Sequence, residues 1–341
     1  SLPYMMEYPY ECSEQIFSRY YANAIGTHLA NSDPAIKRVF NQWKSAAQNK
    51  EGDAFLSELE KNPELKQALL TETPWVRDAQ NETEQRRRIC ELFDVARMDS
   101  ELAISLKKLK QNQKPDGGWG WFNGMRSDLY ITRHIVSGFG KMRKMGVWEM
   151  DGETRSMLEN AIEFLDEETV KYYDRRALKD KDYTPSWTDL HMTYARSFWL
   201  EDFALKGKAK STYSAILKTI QKKWTKLDAS QKGLAAVVLN RSGNESDAQK
   251  IIVSLRETAL SSEEFGAYWA MDKGYYWYQA PIENHVMILE AFDEVAKDEN
   301  MVREMNIWLL KQKQTQSWET TKATAEACYA LISTGTPDFE T

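Results

Sequence analysis

Near the start of the chain stands Tyr8-Pro9-Tyr10-Glu11-Cys12-Ser13-Glu14-Gln15, and its last four residues hold a thiol three positions from a carboxamide. That spacing puts both groups on one side of a turn or helix start. Attack of the Cys12 sulfur on the Gln15 side-chain carbonyl, with loss of ammonia, closes an internal thioester. A thiolate, whose conjugate acid has a pKa of about 8.5, leaves far more readily than an amide nitrogen, so the bond stores an acyl group. Water destroys such a bond slowly, and a dry enclosure is expected around it. Tyr4, Tyr8 and Tyr10, with Trp119 and Trp121 from a later loop, are the aromatic residues expected to wall it, and Glu14 is expected to orient the turn. A helix N-terminus here would favour the released thiolate. The plainer alternative makes Cys12 a small buried residue near a helix start.

The elements that must hold this motif read as helices. Sixteen Gly and nine Pro in 341 residues are few and fall mostly at boundaries. Apolar residues recur at helical spacing in Met98, Leu102, Leu106 and Leu109, in Ala209, Tyr213, Ile216, Leu217, Ile220 and Trp224, and in Ile282, Val286, Leu289 and Phe292. Asn81 with Glu84 and Asp228 with Gln231 fit reciprocal helix caps, and Pro34 and Pro281 fit first-turn prolines. About twelve helices follow from this pattern. The run Leu234-Ala235-Ala236-Val237-Val238-Leu239 suits a helix buried inside others. The charged stretch 41–66 reads as a helical hairpin on the outside.

A unit of helix, aromatic turn and helix repeats. It runs from Leu106 through Trp119 to a helix near Asp128, from Leu309 through Trp318 to a helix near Glu319, and from Tyr268-Trp269 through Trp277-Tyr278 to Ile282. Gln113-x-x-x-Gly117-x-Trp119 has the Gln-Trp form seen in α/α-toroids such as terpene cyclases. The expected fold is all-α: one α/α-toroid over residues 1–341, with about six helical hairpins in two concentric layers and a leading segment, 1–15, that carries the thioester motif. In such a ring the aromatic turns serve chiefly to lock one hairpin against the next.

Composition narrows the function. With 45 Lys+Arg against 51 Asp+Glu, a net charge of −6 gives no basic excess, so nucleic acid is not an expected partner. No window approaches a membrane span, and nothing near Ser1 has the form of a signal peptide. The start on Leu2-Pro3-Tyr4 without Met suggests a piece of a longer precursor. Cys12, Cys90 and Cys328 are too few for a disulfide framework, and the last two fall on apolar stripes that suit core packing. His28, His134, His191 and His285 read as packing or capping residues. Lys107, Lys108 and Lys110, then Lys222, Lys223 and Lys226, and residues 86–88 (all Arg) read as solvated helix faces.

Four motifs in order resemble the thioester domain of bacterial α2-macroglobulins, the complement-like domain. They are Cys12-Ser13-Glu14-Gln15, Asp116-Gly117-Gly118-Trp119-Gly120-Trp121-Phe122, Gln279-Ala280-Pro281-Ile282-Glu283 and Trp318-Glu319-Thr320-Thr321-Lys322-Ala323-Thr324. The resemblance runs to about Ile332. It implies that a protease cuts a bait region elsewhere in a larger macroglobulin, whose exposed thioester then acylates a Lys amine of the attacker. Gln15 is then the acyl donor, Cys12 the leaving thiolate, and each molecule a single-turnover endopeptidase inhibitor rather than an enzyme. The resemblance further implies a bacterial defence role and a periplasmic or envelope-anchored parent, with its other macroglobulin domains, target proteases and cell-wall synthesis proteins as partners. No cofactor or metal is needed, because closure uses the chain's own atoms.

Two departures from the family pattern stand out. Glu11 occupies a position where the family often has Gly. No His falls between Trp119 and Leu129, and His134 lies within the next helix, so no transfer histidine is assigned and amines are expected to react in preference to hydroxyls. The rival functions are a toroid enzyme, such as a glycoside hydrolase using two carboxylates, and a noncatalytic interaction module in which the thioester never forms. No clustered acidic motif supports a terpene cyclase or a diphosphate synthase.

Overall fold

The structure is a computed structural model that describes residues 12–32, 95–177, 179–180, 182–262, 265–270, 281–315 and 321–334. Tyr4, Tyr8, Tyr10, Pro34, the 41–66 stretch, Asn81 and Glu84, residues 86–88, Cys90, Trp277, Tyr278, Trp318 and Glu319 lie outside them. Among the described residues the fold is all-α, with eleven α-helices and one two-stranded hairpin. None of these helices is long and apolar enough to cross a membrane. The chain divides into two compact units, Ser1–Gln111 and Asn112–Thr341.

In the first unit, α1 (Ser13–Ser32) carries the chemical motif at its start, and α2 (Val95–Asn112) follows. Ile16, Phe17, Tyr20, Tyr21, Ala24 and Ile25 of α1 are all buried. Asn23 and Ser18, on other faces, are buried as well, so α1 is enclosed on most sides. Apolar periodicity alone does not show this, because small polar residues break the stripe. Asn23 donates its Nδ2 N–H to Arg19 O at 2.9 Å, and the Met98 sulfur of α2 sits over the notch at Gly26.

The second unit runs α3 (Leu129–Lys144), α4 (Gly152–Ala177), α5 (Trp187–Ser197), α6 (Gly207–Lys223), α7 (Ala229–Arg241) and α8 (Glu245–Glu257). The hairpin β1 (Leu260–Ser262) and β2 (Gly266–Tyr268) precedes α9 (Pro281–Ala291), α10 (Glu299–Thr315) and α11 (Thr321–Thr334). Helix starts fall where the caps place them. Asp128 accepts from Ile131 N at 3.0 Å, Asp228 and Gln231 cap each other's backbone at 2.8 and 3.1 Å, and Pro281 opens α9. Ser186 and Asp189 form a second reciprocal cap on α5.

Leu234 to Leu239 of α7 are at most 1% exposed, as an all-apolar helix requires. Gly233 lets α7 approach α9 closely, since a Cβ there would lie 2.8 Å from Met287 O. Contacts link α3 to α5, α5 to α7, α7 to α9, α9 to α11, and α11 back to α3, a closed cycle of alternate helices. Around it, α4 packs on α3 and α5, α8 on α7, and α10 on α9 and α11.

Two local features differ from expectation. Tyr268 and Trp269 were expected in an aromatic turn, but Tyr268 lies in a strand, with Leu260 opposite Tyr268 and Ser262 opposite Gly266. Three-residue strands are too short for alternation to register in a sequence. Trp269 is buried and donates its indole N–H to Leu255 O at 2.9 Å. The stripe ending at Phe292 leaves α-geometry there for a π-turn, Phe292–Ala296, closed by Lys297 at φ 51°.

The Gln-Trp turn acts as a lock. Gln113 Nε2 donates to Gly117 O and to Met157 O of α4, both at 2.8 Å. Trp119 is fully buried, and its backbone N–H donates to Thr132 Oγ1 of α3 at 2.9 Å. Gly117 has φ +87°, and a Cβ would stand 2.1 Å from Asn160 O, so both conformation and contact require glycine. Cys328, expected in the core, is only half-buried on α11.

Candidate functional site

Cys12 stands at the start of α1. Its carbonyl accepts the first helical hydrogen bond from Ile16 N at 3.0 Å, and Gln15 occupies the third helical position. From there the Gln15 side chain folds back, so the backbone N–H of Cys12 donates to Gln15 Oε1 at 3.3 Å. This is one half of a capping box, and it satisfies a donor that a helix start leaves open. It also holds the Gln15 carboxamide oxygen against the backbone of Cys12. The donated N–H polarises that carbonyl.

Cys12 is 5% exposed and carries no disulfide. Burial pushes its thiol pKa up, and the Glu14 charge adds to this, against the opposing hydrogen bonds of the Gln15 and Glu14 backbone. The helix start is where the sequence places it, but burial outweighs its pull toward the thiolate. Glu14 turns along the helix, accepting from Ser18 Oγ at 3.0 Å. Cys12, Glu14 and Gln15 are thus brought together in the first helical turn.

Tyr4, Tyr8 and Tyr10 lie outside the described residues. Trp119 is a core residue of the second unit. Trp121 is 38% exposed and stacks on Tyr130 with centroids 5.7 Å apart and planes at 12°. His285 stacks on Trp308 at 4.2 Å and bonds Met305 O through Nε2 at 2.9 Å, a packing role as expected.

Sequence reading missed a charged hub in the second unit. Glu290 of α9 is 3% exposed. It accepts from Arg241 Nη2 of α7 at 2.7 Å, Tyr194 OH of α5 at 2.6 Å and Tyr329 OH of α11 at 2.6 Å. Lys144 of α3 adds a contact at 3.4 Å. Burial alone would raise the Glu290 pKa, but the Lys144 and Arg241 charges, with Lys141 and the Tyr194 hydroxyl, hold it well below the usual carboxylate range. Each helix of the cycle contributes one residue. No local spacing marks such a hub, because its members lie up to 185 residues apart, from Lys144 to Tyr329.

No protein-family model matches the chain, and no curated protein sequence does. Solved structures do match it. The crystal structure of native α2-macroglobulin from Escherichia coli, spanning domain MG7 to the C-terminus, aligns with 97% of this chain at TM-score 0.53 and 12% identity. The native conformation of the same E. coli protein, from a cryo-EM reconstruction, aligns equally, also over 97% of the chain at TM-score 0.53 and 12% identity. The chain spans 41% of the first of these structures and 16% of the second. The likeness anticipated from the four sequence motifs therefore holds at the level of fold: this chain is folded like a part of bacterial α2-macroglobulin.

Proposed function

We propose that this chain is the thioester domain of a larger bacterial macroglobulin and serves to trap proteases covalently. The observation that carries the reading is the Cys12 N–H···Oε1 Gln15 bond at 3.3 Å on a buried cysteine, which preorganises the attack. In the closing step Cys12 Sγ bonds to Gln15 Cδ, the Cδ–N bond breaks, and ammonia leaves with the thiol proton. In the transfer step an amine, by preference a protease Lys, attacks Cδ and displaces the sulfur, which regains a proton as the free thiol. The product is an isopeptide, and the donor is consumed once. The raised thiol pKa suits the resting bond: a site that disfavours the thiolate disfavours unprompted release.

The proposal includes the toroid of about six hairpins, a reading that the closed cycle of α3, α5, α7, α9 and α11 supports. It also includes a periplasmic or envelope-anchored parent, target proteases, neighbouring macroglobulin domains and cell-wall synthesis proteins as partners. The deciding experiment is intact mass of the full-length parent with and without methylamine, beside Cys12→Ala. A mass lighter by one ammonia than the sequence, shifting with methylamine and absent in the variant, supports the reading. An unshifted mass with a free thiol and an intact Gln15 amide transfers it to a noncatalytic interaction module.

A further inference from the structure

The second unit holds a cavity of about 40 Å³ where α3, α5, α7, α9 and α11 face one another. This gives room for about three water-sized groups. Arg133, His134, His191, Lys322, Lys141 and Glu290 are among its lining residues. Their charges do not balance. Lys141 is taken up by Glu326, both of whose oxygens lie within 2.6 Å of its ammonium. Glu290 is saturated by Arg241, Tyr194 and Tyr329. Arg133 and Lys322 make no hydrogen bond and no ion pair among the described residues. Each only faces the ring of Tyr130, at 5.3 and 5.5 Å.

Arg133 and Lys322 are both half-buried, so water screens them only in part, and two cations beside one cavity repel each other. Asp128 acts on Arg133 and Glu283 on Lys322 through their charges, but neither carboxylate forms a hydrogen bond or ion pair with its cation among the described residues. Burial pushes the Glu283 pKa up, against the lowering charges of Lys322 and Lys141, and its Oε2 is buried without a hydrogen-bond partner among the described residues. The histidines add no charge either. Burial, then Lys322, Lys141 and Arg133, bring His134 down to about 3, and the same causes lower His191. Burial also lowers Arg133 itself. Beside the cavity Trp121, Tyr130 and His134 form one stack, and His191 stacks on Trp187 at 5.5 Å.

We infer that this cavity is a binding site for a small oxyanion, a carboxylate or inorganic phosphate, held by the Arg133 guanidinium and the Lys322 ammonium. The guanidinium offers a fork that matches two oxygens, and the ammonium a point charge beside it. Both cations face the Tyr130 ring, a contact that uses none of their N–H donors. The inference is independent of the thioester reading.

The test is a titration of the full chain, 13C-labelled at its four histidines, with sodium acetate and separately with sodium phosphate, sodium chloride being the reference. Ring signals are assigned through His134→Gln and His191→Gln. The His134 and His191 signals are expected to move saturably with acetate or phosphate, while those of His28 and His285 stay in place. Saturation by acetate alone identifies a carboxylate site, and saturation by phosphate alone a phosphate site. In Lys322→Gln and in Arg133→Gln the midpoint rises at least tenfold. Lys322→Gln removes an unpartnered charge, so its melting temperature without anion is expected not to fall. No saturable movement, a midpoint in both variants unchanged from wild type, or saturation by chloride at the same midpoint overturns the inference. The wild-type titration decides by itself if either variant fails to fold.

Discussion

The backbone N–H of Cys12 donates to Oε1 of Gln15 across 3.3 Å, and this bond serves both the helix and the proposed chemistry. The two uses separate by substitution. Gln15→Ala is expected to cost about 1 kcal/mol at the helix start, as loss of a cap does, and to abolish methylamine labelling. Gln15→Glu keeps an acceptor at the same place, and a negative charge there suits a helix N-terminus. It should melt close to the wild type yet take up no methylamine. Paired thermal melts and intact masses check this, and a Gln15→Glu protein that still labels would remove Gln15 as the acyl donor.

With no transfer histidine assigned beside the motif, amines should outcompete hydroxyls. Incubation of the active parent with methylamine and glycerol together should give amide adducts in large excess at Gln15. Dominant ester formation would mean that a general base has gone unrecognised.

Glu290→Gln leaves Arg241 and Lys144 buried opposite a neutral amide, and breaking such a pair typically costs about 3–5 kcal/mol. The acid dependence has the same origin. The folded pKa of Glu290 lies below its unfolded value, so its contribution is complete above about pH 4.3 and is lost as pH falls toward the folded pKa. Urea midpoints of wild type and variant should converge as the pH is lowered from 5 to 2.

His285, held down to about 4 first by burial and against the Met305 carbonyl, stays neutral when folded. Its unfolded pKa is about 6.5, so the unfolded chain binds more protons between these values, and stability falls as pH drops from 6.5 to 4. The expected loss is about 3 kcal/mol. In His285→Gln the urea midpoint should fall less over this window, and an identical fall in both proteins would assign the loss elsewhere.

Helix starts and the buried helix were legible because their signals are local. Asp228 and Gln231 cap each other within four residues, and Leu234 to Leu239 declare burial on every side. Gln113, Gly117 and Trp119 were legible as a locking turn for the same reason, although the Met157 carbonyl that completes it was not. The chemistry proposed at Cys12 was read from spacing, but the thiol's raised pKa depends on burial that four residues cannot reveal. Glu290, and the pair Arg133 and Lys322, were hidden. Their meaning lies in partners or in the lack of them across five helices, and a charged residue on a helix reads in sequence as a solvated one.

The closed cycle has a consequence for how this chain comes to exist in a cell. Its last joint is α11 against α3, and the Lys141–Glu326 bond across that joint spans 185 residues. A growing chain therefore carries Lys141 without its partner, and Glu290 without Tyr329, until nearly all of the unit has been synthesised. Long-range closure of this kind is slow and leaves apolar and charged faces open in the meantime. The unit cannot mature helix by helix as an open solenoid can. It is committed only when its final helix arrives, and a chain stopped short of Thr321 would be an unfinished ring with stranded charges.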